Sequence, residues 1–400
     1  MSAQIAALLC VLSCGAVAAR EVLRPDELEF GRQVMRSIYS LDYASAEALC
    51  RRMIASKPEE ALGYALLART FWAKQLSAGQ GLTIDRFAGR AFYSGTADQR
   101  VAVTPEAERS YREASATAAA KAKQKLARDA SDLGAMFTLG LVRQTMASYE
   151  FSMKGDWWAA FREGEGALTL HNKVLLASPD FWDARLALAV SYYVVDCLPW
   201  TIRWLPYLLH YRGSKVKGKQ DLEQVASRGL LLADDARTLL VLLYCRDEEF
   251  NPASRQLEQL RQKYPNNYVV RLELAGIALR VNEPRRALSI YESLLTGVQA
   301  HGPEVRGLES ATVLLRLGVA SRDSGDLQRS MRWLEEALAS GDASNEVRVA
   351  ARLEAGKTAD LLGRREWALE QYRAVAQAGD FLGTRREAQG LLARPYRVSH

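Results

Sequence analysis

Four windows in the second half of the chain repeat one spacing of small and large apolar residues, and that spacing constrains the fold more than any other feature. A small residue stands at Ala253, Ala287, Ser330 and Ala368. Four positions later comes a large apolar one, Leu257, Tyr291, Leu334 or Tyr372, and three further on Leu260, Leu294, Ala337 or Val375. Thirteen positions before the small residue lies Leu240, Leu274, Leu317 or Ala355, followed by Val241, Ala275, Gly318 or Gly356. Successive windows are 34, 43 and 38 positions apart. Each reads as a helix A, a tight turn and a helix B. Small residues let the two helices approach, and the large residue fills the groove between helix A and the next unit. The turn needs a residue that tolerates positive φ, which Gly325, Gly363 and Asn282 supply. Pro265 can stop one helix B without removing a needed hydrogen bond. One such pair cannot bury its apolar face alone, so the units must stack.

This pattern resembles the tetratricopeptide (TPR) repeat. The resemblance implies an all-α, TPR-type α-solenoid, a right-handed superhelix of helical hairpins, here with two insertions. A chain of 400 residues could hold two or three domains or one long solenoid; abundant Ala, Leu, Arg and Glu with only 11 Pro favour the solenoid. TPR-like hairpins are expected over 26–195 and a C-terminal array over 219–392, with a tail at 393–400. Asp42 starts a helix B with Ala46 as its small residue, and Asp156 can cap a long helix over 157–177. The glycine-rich 76–105 forms the first insertion, and a connection of that length is often functional or mobile.

The second insertion, 196–218, contains a strongly apolar run at 198–211 with Trp200, Trp204 and Tyr207. Pro199, Arg203 and Pro206 argue against a membrane span. The run either fills the bore of the superhelix or meets a membrane surface or a partner through its aromatic residues.

Residues 1–19 read as a leader. Ile5 to Val17 is apolar, and Ala16-Val17-Ala18 fits a cleavage site for export. Val11-Leu12-Ser13-Cys14 also resembles a lipobox, which makes Cys14 a lipidation candidate. The apolar run is too short to span a bilayer comfortably. The expected location is exported, in the periplasm or at the envelope. Beyond the leader, Cys50, Cys197 and Cys245 are too far apart for a disulfide framework.

The middle of the chain resembles a bacterial family of exported or envelope-associated TPR proteins. The matching residues are Lys154-Gly155-Asp156-Trp157-Trp158-Ala159-Ala160, Pro179-Asp180-Phe181-Trp182-Asp183-Ala184, Tyr192-Tyr193-Val194-Val195-Asp196-Cys197-Leu198-Pro199 and Tyr264-Pro265-Asn266-Asn267. At Gly218-Lys219 such relatives carry Gly-Asp ahead of a helix B, so a capping carboxylate is expected to be missing there. The resemblance implies an α-solenoid and supplies no catalytic residues.

No motif for phosphate binding, metalloprotease, serine hydrolase or paired-cysteine chemistry occurs, so no catalytic residue, metal or cofactor is expected. A net charge of +6 with interspersed signs argues against a nucleic-acid partner; Lys121, Lys123, Lys125 and Arg128 read as the wet side of a helix. Binding is expected on the concave face of the A helices, at Asp235, Arg246, Arg280, Thr312, Arg322 and Lys357. Four of these six are basic and could grip a carboxylate or an acidic peptide. The expected partner is therefore a protein or peptide. The alternative is a membrane-surface factor in envelope assembly or lipid handling that uses 198–211.

Overall fold

The computed structural model describes residues 21–78, 103–197, 213–379, 381 and 383–397. The leader with Cys14, most of the first insertion, and 198–212 with Trp200, Trp204 and Tyr207 lie outside the described residues.

The described residues form seventeen α-helices, sixteen of them paired as hairpins. The pairs are α1 (Pro25–Tyr39) with α2 (Tyr43–Ser56), α3 (Ala61–Ala78) with α4 (Pro105–Arg128), and α5 (Leu133–Tyr149) with α6 (Trp157–Ala177). Then come α7 (Arg185–Cys197) with α8 (Lys215–Arg228), and α9 (Ala233–Arg246) with α10 (Phe250–Lys263). The last three are α11 (Tyr268–Arg280) with α12 (Pro284–Gln299), α13 (Ser310–Asp323) with α14 (Leu327–Ala339), and α15 (Asn345–Leu361) with α16 (Arg365–Gln377). A single helix, α17 (Thr384–Ala393), closes the stack.

The repeat positions do what their size predicts. Ala253, Ala287, Ser330 and Ala368 are fully buried, as are Leu294, Leu334, Ala337, Tyr372 and Val375. A Cβ on Gly318 would stand 2.5 Å from Leu334, and one on Gly356 2.5 Å from Tyr372. Helix A thus lacks a side chain where the large residue of helix B presses against it. Ser330 is tolerated at an alanine position because its hydroxyl lies 3.0 Å from the buried hydroxyl of Thr358 on the next helix A. Five positions before the small residue the chain turns through positive φ. Gly325, Gly363 and Asn282 do so, and so do Gly155, Leu41 and Glu248. Helix starts are capped locally: Asp42, Asp132, Asp156, Asn267 and Asp326 each accept a hydrogen bond from the backbone three residues on.

Each helix packs on its neighbours in sequence, and several A helices also touch the next A helix: α1 on α3, α3 on α5, α13 on α15, and α15 on the cap α17. The layer in which successive helices approach more closely is the inner one of a curved stack, so the A helices line the inside. This sequential nesting defines a TPR-type α-solenoid.

One local expectation changes. Gly218-Lys219 does not precede a helix. The helix begins at Lys215, and the Ser214 hydroxyl caps it by accepting from the Lys217 backbone at 3.2 Å. Gly218 is inside α8, packed against Ala189 and Tyr193, and Lys219 reaches Asp247 at 3.0 Å and Glu249 at 2.6 Å. A lysine suits this site because it joins α8 to the turn after α9. A 3-10 turn, Trp182–Ala184, precedes α7, which starts at Arg185.

The core is not uniform along the stack. One continuous cluster runs from Val22 to Ile277, whereas two shorter ones cover 275–351 and 331–388. The short clusters are those of a one-dimensional array. The long one arises because α1 folds back on α9 and the turn before α11. Tyr39 stacks on Tyr264 at 5.4 Å, its backbone oxygen accepts from the Asn267 side chain at 2.7 Å, and Gly31 is in contact with Leu231.

Candidate binding groove

The inner wall divides into a closed part and a lined part. Asp235, in the first turn of α9, points at the N-terminal hairpins. Its carboxylate lies 2.5 Å from the guanidinium of Arg69 on α3 and accepts from the Tyr39 hydroxyl at 2.6 Å. Burial raises its pKa, and the Arg69 charge opposes that rise. Binding is expected at Asp235 from the sequence, but the chain's own α1 and α3 cover it.

The other five positions lie along the later A helices. Arg246 ends α9, half-buried. Arg280 ends α11, with its guanidinium 5.9 Å from the Phe250 ring centre. Thr312 lies in the first turn of α13, 3.4 Å from a Glu309 carboxylate oxygen.

Arg322 and Lys357 are brought together. Both are buried, and both bond Glu354 from α15: Arg322 directly, Lys357 at 2.7 Å. Arg322 also meets Asp323 at 3.1 Å, and Lys357 meets Glu387 of α17 at 2.6 Å. Burial works against charge on all three groups. Mutual pairing outweighs it, holding Arg322 and Lys357 up and Glu354 down. The three stay ionised, and the two cations are largely neutralised before any ligand arrives.

Sequence reasoning missed what closes this cluster. Tyr396, beyond α17, places its ring 5.3 Å from the Arg322 guanidinium and 5.7 Å from the Lys357 ammonium. Its backbone N–H donates to Asp360 at 2.8 Å. The Asp360 side chain is fully buried and is also held by Arg365 at 3.0 Å and by the Tyr372 hydroxyl at 2.9 Å. Arg365 in turn donates to the carbonyls of Leu391 and Leu392 at the end of α17. The tail at 393–400 carries no repeat signal, so only its lone aromatic residue could have hinted at this.

Elsewhere two residues of the basic stretch of α4 are paired with the start of its own hairpin, Lys121 on Glu59 at 2.6 Å and Lys125 on Glu60. Among the described residues no group of three His, Cys, Asp or Glu could hold a metal ion, and no helix is long and apolar enough to cross a membrane.

No family model and no curated protein matches the chain. Solved structures to which the chain shows similarity include yeast Tom70, at 12% identity and a TM-score of 0.40 over 93% of this chain and 89% of that one. The human IFIT1 dimer with PPP-AAAA matches at 12% identity and a TM-score of 0.43, over 93% and 85%. A tetratricopeptide repeat protein from Parabacteroides merdae matches at 14% and 0.31, over 82% and 99%. The fold assignment rests on the packing described above rather than on these likenesses.

Proposed function

We propose that the chain is a non-enzymatic TPR scaffold that binds a protein or peptide segment along the wall of its later A helices, after export to the periplasm or envelope. One observation carries this reading: successive A helices place polar side chains on that wall, Arg280 on α11, Thr312 on α13 and Lys357 on α15. Polar groups carried by three successive A helices, near the C-terminal end of α11 and α15 and in the first turn of α13, suit a segment that crosses the stack obliquely. The leader, with its cleavage site and Cys14, supports export.

Affinity capture of the mature protein from its own envelope extract tests the scaffold. A partner retained by the native chain and lost with Arg280→Glu and Thr312→Arg is expected; no retained partner ends the proposal. Mass measurement of the processed chain tests export, with cleavage after Ala18 expected, or before Cys14 if the lipobox is used.

A second reading, contact with a membrane surface, is favoured by Trp157 and Trp158. They stand 46% and 45% exposed at the start of α6, with Trp158 stacked on Phe161 at 5.7 Å. Consecutive helices run antiparallel, so this end of the stack is also where α7 ends and α8 begins. Exposed tryptophans suit the headgroup level of a bilayer. Flotation with anionic liposomes that fails for Trp157→Ala/Trp158→Ala supports this reading, and no flotation of the native chain removes it.

A further inference from the structure

The sequence offers Arg322 and Lys357 as a grip for a carboxylate, but Glu354 lies between them and, with Asp323 and Glu387, has already neutralised both. What they still present is a pair of cationic faces, and an aromatic ring uses them. Beside them Asp360 is buried, locked by Arg365 and Tyr372, and aimed at the backbone N–H of residue 396. The same surface thus holds an aromatic side chain by its ring and an extended segment by its main chain. Tyr396 is drawn in while Pro395 and Arg397 on either side stay exposed. A segment held at one side chain and one backbone hydrogen bond is held weakly enough to be exchanged.

We propose that Arg322, Lys357 and Asp360 form a binding subsite for an extended peptide segment carrying an aromatic side chain, and that the chain's own tail occupies it through Tyr396 until a partner segment displaces it. This deepens the scaffold reading and rests on it. The subsite selects an aromatic residue, not an acidic one, because its charges are balanced. Occupation by the tethered tail lowers apparent affinity for any segment supplied from outside, since the competitor is present at high effective concentration.

The test uses a fluorescent peptide of residues 393–400 as the probe, followed by anisotropy. Two forms of the protein expose the subsite: a chain ending at Ala393, which keeps all of α17, and full-length Tyr396→Ala, which keeps the tail. Circular dichroism and thermal melting establish that both fold. Saturable binding to both, at least tenfold weaker binding to the native full-length chain, and loss of binding with alanine in place of the peptide's tyrosine are expected. Absence of saturable binding to both folded variants overturns the subsite. Equal binding to native and truncated chains overturns its occupation by the tail. A partner captured from extract equally by native and truncated chains defeats this inference while leaving the scaffold reading standing.

Discussion

The guanidinium of Arg69 on α3 lies 2.5 Å from the carboxylate of Asp235 on α9, three hairpins further along the chain, with both side chains less than a tenth exposed. A stack that contacted only its neighbours could not bring these two residues together. The pair shows that the first half of the solenoid curls until α1 and α3 meet α9. The Tyr39 hydroxyl bonds the same carboxylate, so hairpins one, two and five share one buried polar junction.

Breaking this pair from one side should be costly. Arg69→Met leaves the Asp235 carboxylate buried without its cation, and loss of about 3–5 kcal/mol is expected in urea denaturation. The double variant Arg69→Met/Asp235→Leu removes both charges and should regain most of that loss, because a buried ion pair exchanged for apolar side chains is often neutral. If the double variant is as unstable as the single one, the junction is not acting as an ion pair.

The C-terminal hairpins were legible because their information is local. The small residue, the large residue four on and the pair thirteen before all face one helix–helix contact, and those positions are buried in all four windows. The turns at Leu41 and Glu248 were not legible, since neither residue advertises the positive φ it adopts. The groove was legible only by periodicity. That places Asp235, Arg322 and Lys357 on the inside, but periodicity cannot say what faces them, because α1, α3 and the tail arrive from far along the chain. Arg322→Glu would set a carboxylate beside Glu354 and report on folding before binding.

Asp183 explains part of the Phe181-Trp182-Asp183-Ala184 segment. It is fully buried and accepts from the backbone N–H groups of Leu230, Leu231 and Leu232 at 2.9, 2.9 and 2.6 Å, tying the turn before α7 to the turn before α9. Asp183→Ala strands these donors and should cost about 3–5 kcal/mol, since hydrogen bonds to a charged group are the strong ones. Asp183→Asn keeps one acceptor oxygen and should lose about half as much. Equal midpoints for Asn and Ala in urea would show that the carboxylate's acceptors are not what matters.

His171 makes stability depend on mild acid. Its ring is buried beside Phe137, in space left by the missing side chain of Gly140, and burial pushes its pKa down from 6.5 to about 4. Between pH 6.5 and 4 the unfolded chain binds a proton that the folded chain refuses. Stability is therefore full above pH 6.5 and falls as the pH drops, levelling off near 4. The loss attributable to this group is roughly 3 kcal/mol. His171→Leu should flatten the stability profile across that window relative to the native chain. Parallel profiles for the two would mean that the imidazole is protonated in the fold.

Three helical glycines separate packing from propensity. Gly276 sits inside α11 with nothing within 4 Å of the point a Cβ would occupy, so Gly276→Ala removes only the flexibility of glycine. It should stabilise by about 0.5–1 kcal/mol. Gly318 and Gly356 sit equally inside α13 and α15, but an added methyl would stand 2.5 Å from the buried Leu334 or Tyr372. Those two side chains fill the groove that defines the repeat and cannot retreat without opening the next interface. Overpacking of about 1–3 kcal/mol should exceed the helix gain and shift the urea midpoint down in both variants. Opposite signs at Gly276 and at the other two, with unchanged slopes, would show that close approach of helix A to helix B selects glycine there. A gain at all three would mean that the hairpins have slack to absorb a methyl group, against the nesting on which the stack depends.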